Sequence, residues 1–138
     1  EILIGLVGSE MCIRDRAHGD TLELLQALQP KGVVHCFSGS KEMAKEIIKL
    51  GMYIGLNGVA TFKNARKALE VVETIPLERL VLETDCPYLA PEPCRGQRNN
   101  SALIPHIAAR IGQVLGLSAQ AVLRQTAENA RALYGLQV

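Results

Sequence analysis

The sequence has no tryptophan, two phenylalanines and three tyrosines in 138 residues, so any core must be built from aliphatic side chains. Its four cysteines, Cys12, Cys36, Cys86 and Cys94, include no Cys-x-x-Cys pair and are too few to staple a chain of this length. Reduced thiols acting as small apolar side chains, in a cytoplasmic setting, are the expectation. Charge of one sign is also missing. Lys+Arg 15 against Asp+Glu 14 gives a formal net charge of +1, which removes any global electrostatic pull toward nucleic acid or an anionic membrane. An anionic substrate would have to be held by a local site. The apolar start, Ile2 to Val7, is too short for a membrane span, and the acidic Glu1 stands where a secretory signal carries a basic flank. No targeting segment, repeat, low-complexity tract or Pro/Ser linker is read. What is present, 48% hydrophobic and 21% charged residues, suits one soluble globular domain.

Residues 1–16 show no periodicity that continues past Arg16. The run Met11 to Arg16 can be encoded by ATG-TGT-ATA-AGA-GAC-AG and one more base, which resembles the end of a transposon adapter used in sequencing libraries. Residues 1–16 are therefore expected to be a foreign segment, and residues 17–138 the informative domain. The competing reading is a native strand from Ile2 to Leu6 followed by a charged loop.

From Ala17 onward helices and strands alternate. Asp20 reads as the N-cap of a helix carrying Leu22, Leu25 and Leu28, ended by Pro30 and Gly32. Gly32 to Phe37 reads as a buried strand, and Lys41 onward as a helix with Met43, Ala44, Ile47 and Ile48 on one face, closed by Gly51. Tyr53 to Leu56 reads as a second strand. Asn64 opens a helix with Ala65, Ala68, Leu69 and Val72 on its buried stripe, and Leu80 to Asp85 forms a third strand. Pro87, Pro91 and Pro93 force a loop through Asn100. An amphipathic helix then runs from Leu103 to Leu115, Ser118 caps another, and a final segment from Thr126 to Leu136 turns Ala130, Leu133 and Tyr134 to one face. Strands that are continuous apolar runs argue for an α/β fold of parallel β/α units with both sheet faces covered. A closed (β/α)8 barrel needs eight strands and roughly 250 residues, so three strands make either a small open sheet or part of something larger.

In such folds ligands bind at the carboxyl ends of the strands, where His35, Asn57 and Asp85 all fall. An imidazole nitrogen and a carboxylate oxygen converging there can share a divalent ion, which lowers the pKa of bound water and neutralises a phosphoryl oxygen. The competing readings are a hydrogen-bonded core histidine and a turn-capping aspartate before Pro87. Glu83, two residues before Asp85, would share its strand face, and two adjacent carboxylates call for a compensating cation. Arg95 and Arg98 could grip a phosphate through their planar forks, or could be solvated loop residues. A zinc site from Cys36, Cys86, Cys94, His35 and His106 lacks close ligand spacing. A nucleophilic Cys36 lacks a base, because its strand neighbour His35 would point the opposite way.

Four motifs in order, His35-Cys36-Phe37-Ser38-Gly39, Tyr53-Ile54-Gly55-Leu56-Asn57-Gly58, Leu82-Glu83-Thr84-Asp85-Cys86-Pro87-Tyr88-Leu89 and Thr126-Ala127-Glu128-Asn129-Ala130, carry a resemblance. With the Arg95 to Asn99 loop as a fifth, residues 17–138 resemble the C-terminal part of the TatD family of metal-dependent deoxyribonucleases. The resemblance implies about the last three β/α units of a TIM (β/α)8 barrel, and hydrolysis of DNA phosphodiester bonds by a metal-activated water. By that likeness His35 and Asp85 are metal ligands, Asp85 also takes the proton of the attacking water, Glu83 supports it catalytically, and Arg95 and Asn99 contact substrate. Mg, Mn or Zn would serve, with two ions in the complete enzyme. The family's other ligands, a His-x-His pair on the first strand, a glutamate on the fourth and a histidine on the fifth, have no counterpart here. Ile13 falls where the fifth-strand histidine belongs, and His18 is only its neighbour. Cys94 and Ser101 depart from the common histidine and proline, which bears on substrate contacts. The chain alone is thus expected to be inactive and to self-associate through an exposed barrel edge, with DNA as substrate and neither a membrane nor an obligate protein partner. A complete small α/β binding module and a C–N-cleaving amidohydrolase on the same barrel are the alternatives.

Overall fold

The computed structural model describes the backbone of residues 18–137 and the side chains of residues 19–137. The expected foreign segment 1–16, the alternative strand from Ile2 to Leu6, Ile13 and the His18 imidazole lie outside the described residues. Helix α1 (His18–Leu28) leads into strand β1 (Val33–Val34), helix α2 (Lys41–Lys49), strand β2 (Tyr53–Leu56), helix α3 (Arg66–Thr74) and strand β3 (Leu80–Leu82). After a long loop come helices α4 (Ile104–Leu115) and α5 (Ala119–Tyr134). Short 3-10 turns at Gly58–Thr61, Leu77–Arg79 and Ser101–Leu103 join these elements.

The three strands form one parallel sheet in the order β1-β2-β3, with Val34 opposite Ile54 and Gly55 opposite Val81. Parallel neighbours need a crossover, and α2 and α3 supply it. Successive helices pack on one another in chain order, α1 on α2, α2 on α3, α3 on α4 and α4 on α5. The aliphatic composition shows in the core, where Ile47, Ile54, Leu56, Val71, Val72, Leu80, Ile107, Ile111 and Val122 are fully buried.

Helix α2 shows how sequence sets these boundaries. The Ser40 side chain caps it by accepting from the Met43 amide at 3.3 Å. Met43, Ala44 and Ile47 then fall on the buried stripe, and Gly51 takes the left-handed φ of +81° just past the end. The exposed Glu42 carboxyl is held below its ordinary value by its own backbone amide and by the Ser40 hydroxyl.

Several expected boundaries move. Asp20 lies within the first turn of α1 rather than capping it, because the helix begins at His18. Leu28 is 75% exposed at the helix end, so only Leu22 and Leu25 of that row pack on the core. Helix α3 starts at Arg66 after Ala65, without the side-chain cap expected of Asn64. Strand β1 stops at Val34 because Cys36 takes a left-handed φ of +48°, which no extended ladder accommodates. Strand β3 stops at Leu82, although the Glu83 amide still donates to Leu56 O at 3.0 Å.

The two segments expected after Ser118 are one helix. No glycine or proline interrupts residues 119–134, and α5 runs unbroken through them with Ser118 as its cap. Its inward residues include Thr126 and Asn129, and Tyr134 near its end is 64% exposed. Asn129 Nδ2 donates to both Leu77 O, at 2.7 Å, and Leu80 O, at 2.6 Å, and so ties α5 to the start of β3. No single helix among the described residues is long and apolar enough to cross a membrane.

Candidate metal centre

Each strand delivers a polar side chain just past its carboxyl end: His35 after β1, Asn57 after β2, and Glu83 and Asp85 after β3. Parallel strands in register bring these ends together. His35 sits between the two carboxylates, with Nδ1 2.9 Å from Glu83 Oε2 and Nε2 3.3 Å from Asp85 Oδ1. Glu83 and Asp85 are mostly buried while the imidazole is 62% exposed, so the ring forms the outer wall of the site.

Glu83 is fixed by more than the ring. Its Oε1 accepts the Cys36 amide at 2.5 Å, and a Cβ on Gly55 would run into its carboxylate. Glycine in the middle of β2 therefore has a reason: it leaves the space the Glu83 side chain occupies. Asn57 is 4% exposed, and its Nδ2 donates to Asp85 Oδ2 at 2.6 Å and to Cys36 Sγ at 3.1 Å. Its Oδ1 accepts the Val59 amide at 3.0 Å, which opens the 3-10 turn.

The expectation that Cys36 points away from His35 fails for the reason that shortens β1. Past Val34 the chain is no longer a strand, and the left-handed Cys36 puts its thiol against Asn57. Glu83 and Asp85 also lie beyond their strand, yet both reach His35 as the same-face reading expects.

A neutral imidazole carries one N–H and one lone pair. A metal-binding imidazole must be neutral, and with Nδ1–H donated to Glu83 the ring would then turn its Nε2 lone pair toward Asp85 Oδ1, two electron-pair donors converging as a shared cation needs. Metal bonds of about 2.1 Å place neighbouring ligand atoms about 3.0 Å apart in an octahedral shell and about 3.4 Å apart in a tetrahedral one. The 3.3 Å between Nε2 and Oδ1 falls in that interval. Ligand atoms of His35, Glu83 and Asp85 all lie within 4.8 Å of one another, the one such group among the described residues. The residues present therefore fit a divalent ion. Cys36, Cys86 and Cys94 are thiols rather than disulfides, and neither they nor His106 join this group.

The loop over residues 83–100 is anchored to the 3-10 turn after β2. The Glu92 amide donates to Thr61 Oγ1 at 2.8 Å, and Gly58 packs so closely under Leu89 O that a Cβ there would collide with it. Exposed Arg95 stacks its guanidinium over the Phe62 ring, 4.2 Å from the centroid. Arg98 is exposed in the same loop. Asn99 is buried: its amide N–H donates to Pro87 O at 3.0 Å and its Nδ2 to Tyr88 O at 2.6 Å, while Oδ1 is a buried acceptor without a protein partner. His35, Glu83 and Asp85 thus form one cluster, Arg95 lies in the anchored loop, and Asn99 holds that loop's backbone. The sequence reading placed Asn57 at a strand end without a task. Its signal was the break it makes in the apolar run of β2.

A parallel β/α sheet with a histidine and carboxylates at the carboxyl ends of its strands is the arrangement that the class of metal-dependent hydrolases built on a (β/α)8 barrel uses. Comparison narrows the class. The TatD related DNase family model matches residues 12–135. The uncharacterized metal-dependent hydrolase YabD of Bacillus subtilis is 43% identical over 103 residues, 75% of this chain and 40% of that protein. A protein of Klebsiella pneumoniae described as a 3'-5' ssDNA/RNA exonuclease TatD is 39% identical over 114 residues, 79% of this chain and 43% of its own length. Among solved structures, the TatD homolog YjjV of Escherichia coli superposes with a TM-score of 0.79 at 30% identity, covering 88% of this chain and 48% of that one. The chain belongs to the TatD family of metal-dependent hydrolases, and its fold is part of their TIM barrel. It spans under half the length of these relatives.

Proposed function

We propose that this chain supplies the last three β/α units of a nuclease that hydrolyses phosphodiester bonds of DNA. The observation that carries the reading is His35 standing between Glu83 and Asp85 at the carboxyl ends of parallel strands. The description of the Klebsiella relative as an exonuclease of single-stranded DNA and RNA supports the nuclease class. A divalent ion, Mg, Mn or Zn, would supply the Lewis acidity that lowers the pKa of water and offsets charge on the phosphoryl oxygen. His35 Nε2 and Asp85 Oδ1 would hold it. Glu83 keeps the imidazole oriented through Nδ1 and so fixes which nitrogen is offered. A carboxylate has about four lone-pair directions, so Asp85 Oδ2 keeps one for the proton of the attacking water after accepting from Asn57.

Arg95, exposed and stacked on Phe62, offers paired donors to a substrate phosphate. Asn99 sets the shape of the loop that presents it and brings one further acceptor, Oδ1. Ligands for a second ion would come from earlier strands, so this chain alone binds metal without turnover. The setting we propose is the reducing cytoplasm, where the unpaired Cys36, Cys86 and Cys94 would stay thiols.

The test is cleavage of a single-stranded DNA oligonucleotide by the protein at the full length of its relatives, with Mg or Mn, against Asp85→Ala. Cleavage should fall at least about 1,000-fold in the variant with its circular dichroism unchanged. Retained turnover would reject the role of Asp85. Cleavage of small amides in place of DNA would move the protein to C–N hydrolysis.

A further inference from the structure

We infer that Asn57 is the positioning residue of the metal centre, fixing the orientation of the Asp85 carboxylate so that one oxygen faces the ion. The inference rests on the metal reading proposed above. Asp85 follows a strand that has ended and its carboxylate could rotate about Cα–Cβ and Cβ–Cγ, so the backbone does not fix its plane. Asn57 fixes it. Its Nδ2 donates to Oδ2 at 2.6 Å, which leaves Oδ1 as the oxygen opposite His35 Nε2.

The amide itself is locked from its other end. Oδ1 of Asn57 accepts the Val59 amide, so the side chain cannot flip without losing that bond and presenting oxygen to the Asp85 carboxylate. Its second Nδ2 contact, to Cys36 Sγ, fixes its orientation further, and Cys36 in turn gives its backbone N–H to Glu83. One buried side chain just past the central strand thereby links the supports of both carboxylates, and through them both nitrogens of His35. Hydrogen-bonding partners of this kind around metal ligands are worth about 10- to 100-fold in metal affinity.

Two tasks of Asn57, capping the 3-10 turn and orienting Asp85, can be separated chemically. Serine also caps through its hydroxyl, but it is too short to reach Asp85 Oδ2. Asn57→Ser should therefore keep the metal-free melting temperature close to that of the unsubstituted chain while weakening manganese binding, read by the EPR signal of the free ion, about 10- to 100-fold. Manganese affinity within twofold of the unsubstituted chain would overturn the inference and leave the metal reading standing. Loss of affinity accompanied by loss of the far-ultraviolet helix signal would equally overturn it, since Asn57 would then be structural. Failure of the unsubstituted chain to bind manganese would overturn the metal reading itself, and the inference with it.

Discussion

Glu83 has two donors to satisfy, the Cys36 amide and the His35 ring, and it is the side chain that turns a half-exposed histidine into an oriented one. Glu83→Gln keeps the volume but replaces one acceptor oxygen with an NH2 that must face one of those donors. Manganese affinity should fall about 10- to 100-fold, and unchanged affinity would show that His35 is held by other means. At this scale much was legible in the sequence. His35 and Asp85 stand at strand ends, and the two-residue spacing of Glu83 and Asp85 marks one face. What could not be read were contacts across 21 to 47 residues of separation, such as those Asn57 makes to Cys36 and the Cys36 amide makes to Glu83. Nor does sequence announce that Cys36, a non-glycine residue, turns left-handed and brings its thiol inward.

Elements were more predictable in kind than in extent. Each helix and strand expected from Asp20 to Ser118 exists, and the two segments expected beyond it are one helix, because apolar spacing at 3.6 residues and short aliphatic runs respond to burial on one face. Ends were misplaced where backbone geometry decided the matter, as at the left-handed Cys36, or where nothing broke the helix between Ser118 and Tyr134. The motif Thr126 to Ala130 proves to be structural in its contacts. Thr126 bonds back to Val122 O at 2.9 Å within α5, and Asn129 gives both amide hydrogens to the backbone just before and at the start of β3. Asn129→Ala would leave Leu77 O with the Leu80 amide as its donor but strand the buried carbonyl of Leu80, at a cost of about 1–3 kcal/mol. Urea denaturation followed by circular dichroism would show it, and a loss under about 0.5 kcal/mol would mean that water replaces the amide.

For the whole molecule, the sheet has three strands, and β1 and β3 each have one side without a strand partner among the described residues. Leu24 and Leu28 on α1 are also largely exposed. Open sheet edges and apolar surface of this kind favour association, so sedimentation velocity should show species larger than a monomer that grow with concentration. A monomer at every concentration with one sharp melting transition would contradict that expectation. The family was legible because motifs on different elements agree in order: those after β1, β2 and β3 meet at the carboxyl end of the sheet, while the one in α5 meets the start of β3. The central claim is that this end holds a divalent ion between His35 and Asp85. It is tested most directly by calorimetric titration of manganese into the 138-residue chain at neutral pH, beside an Asp85→Ala control. The account predicts saturable binding to the unsubstituted chain and none to the control. Equal binding to both, or to neither, would contradict it.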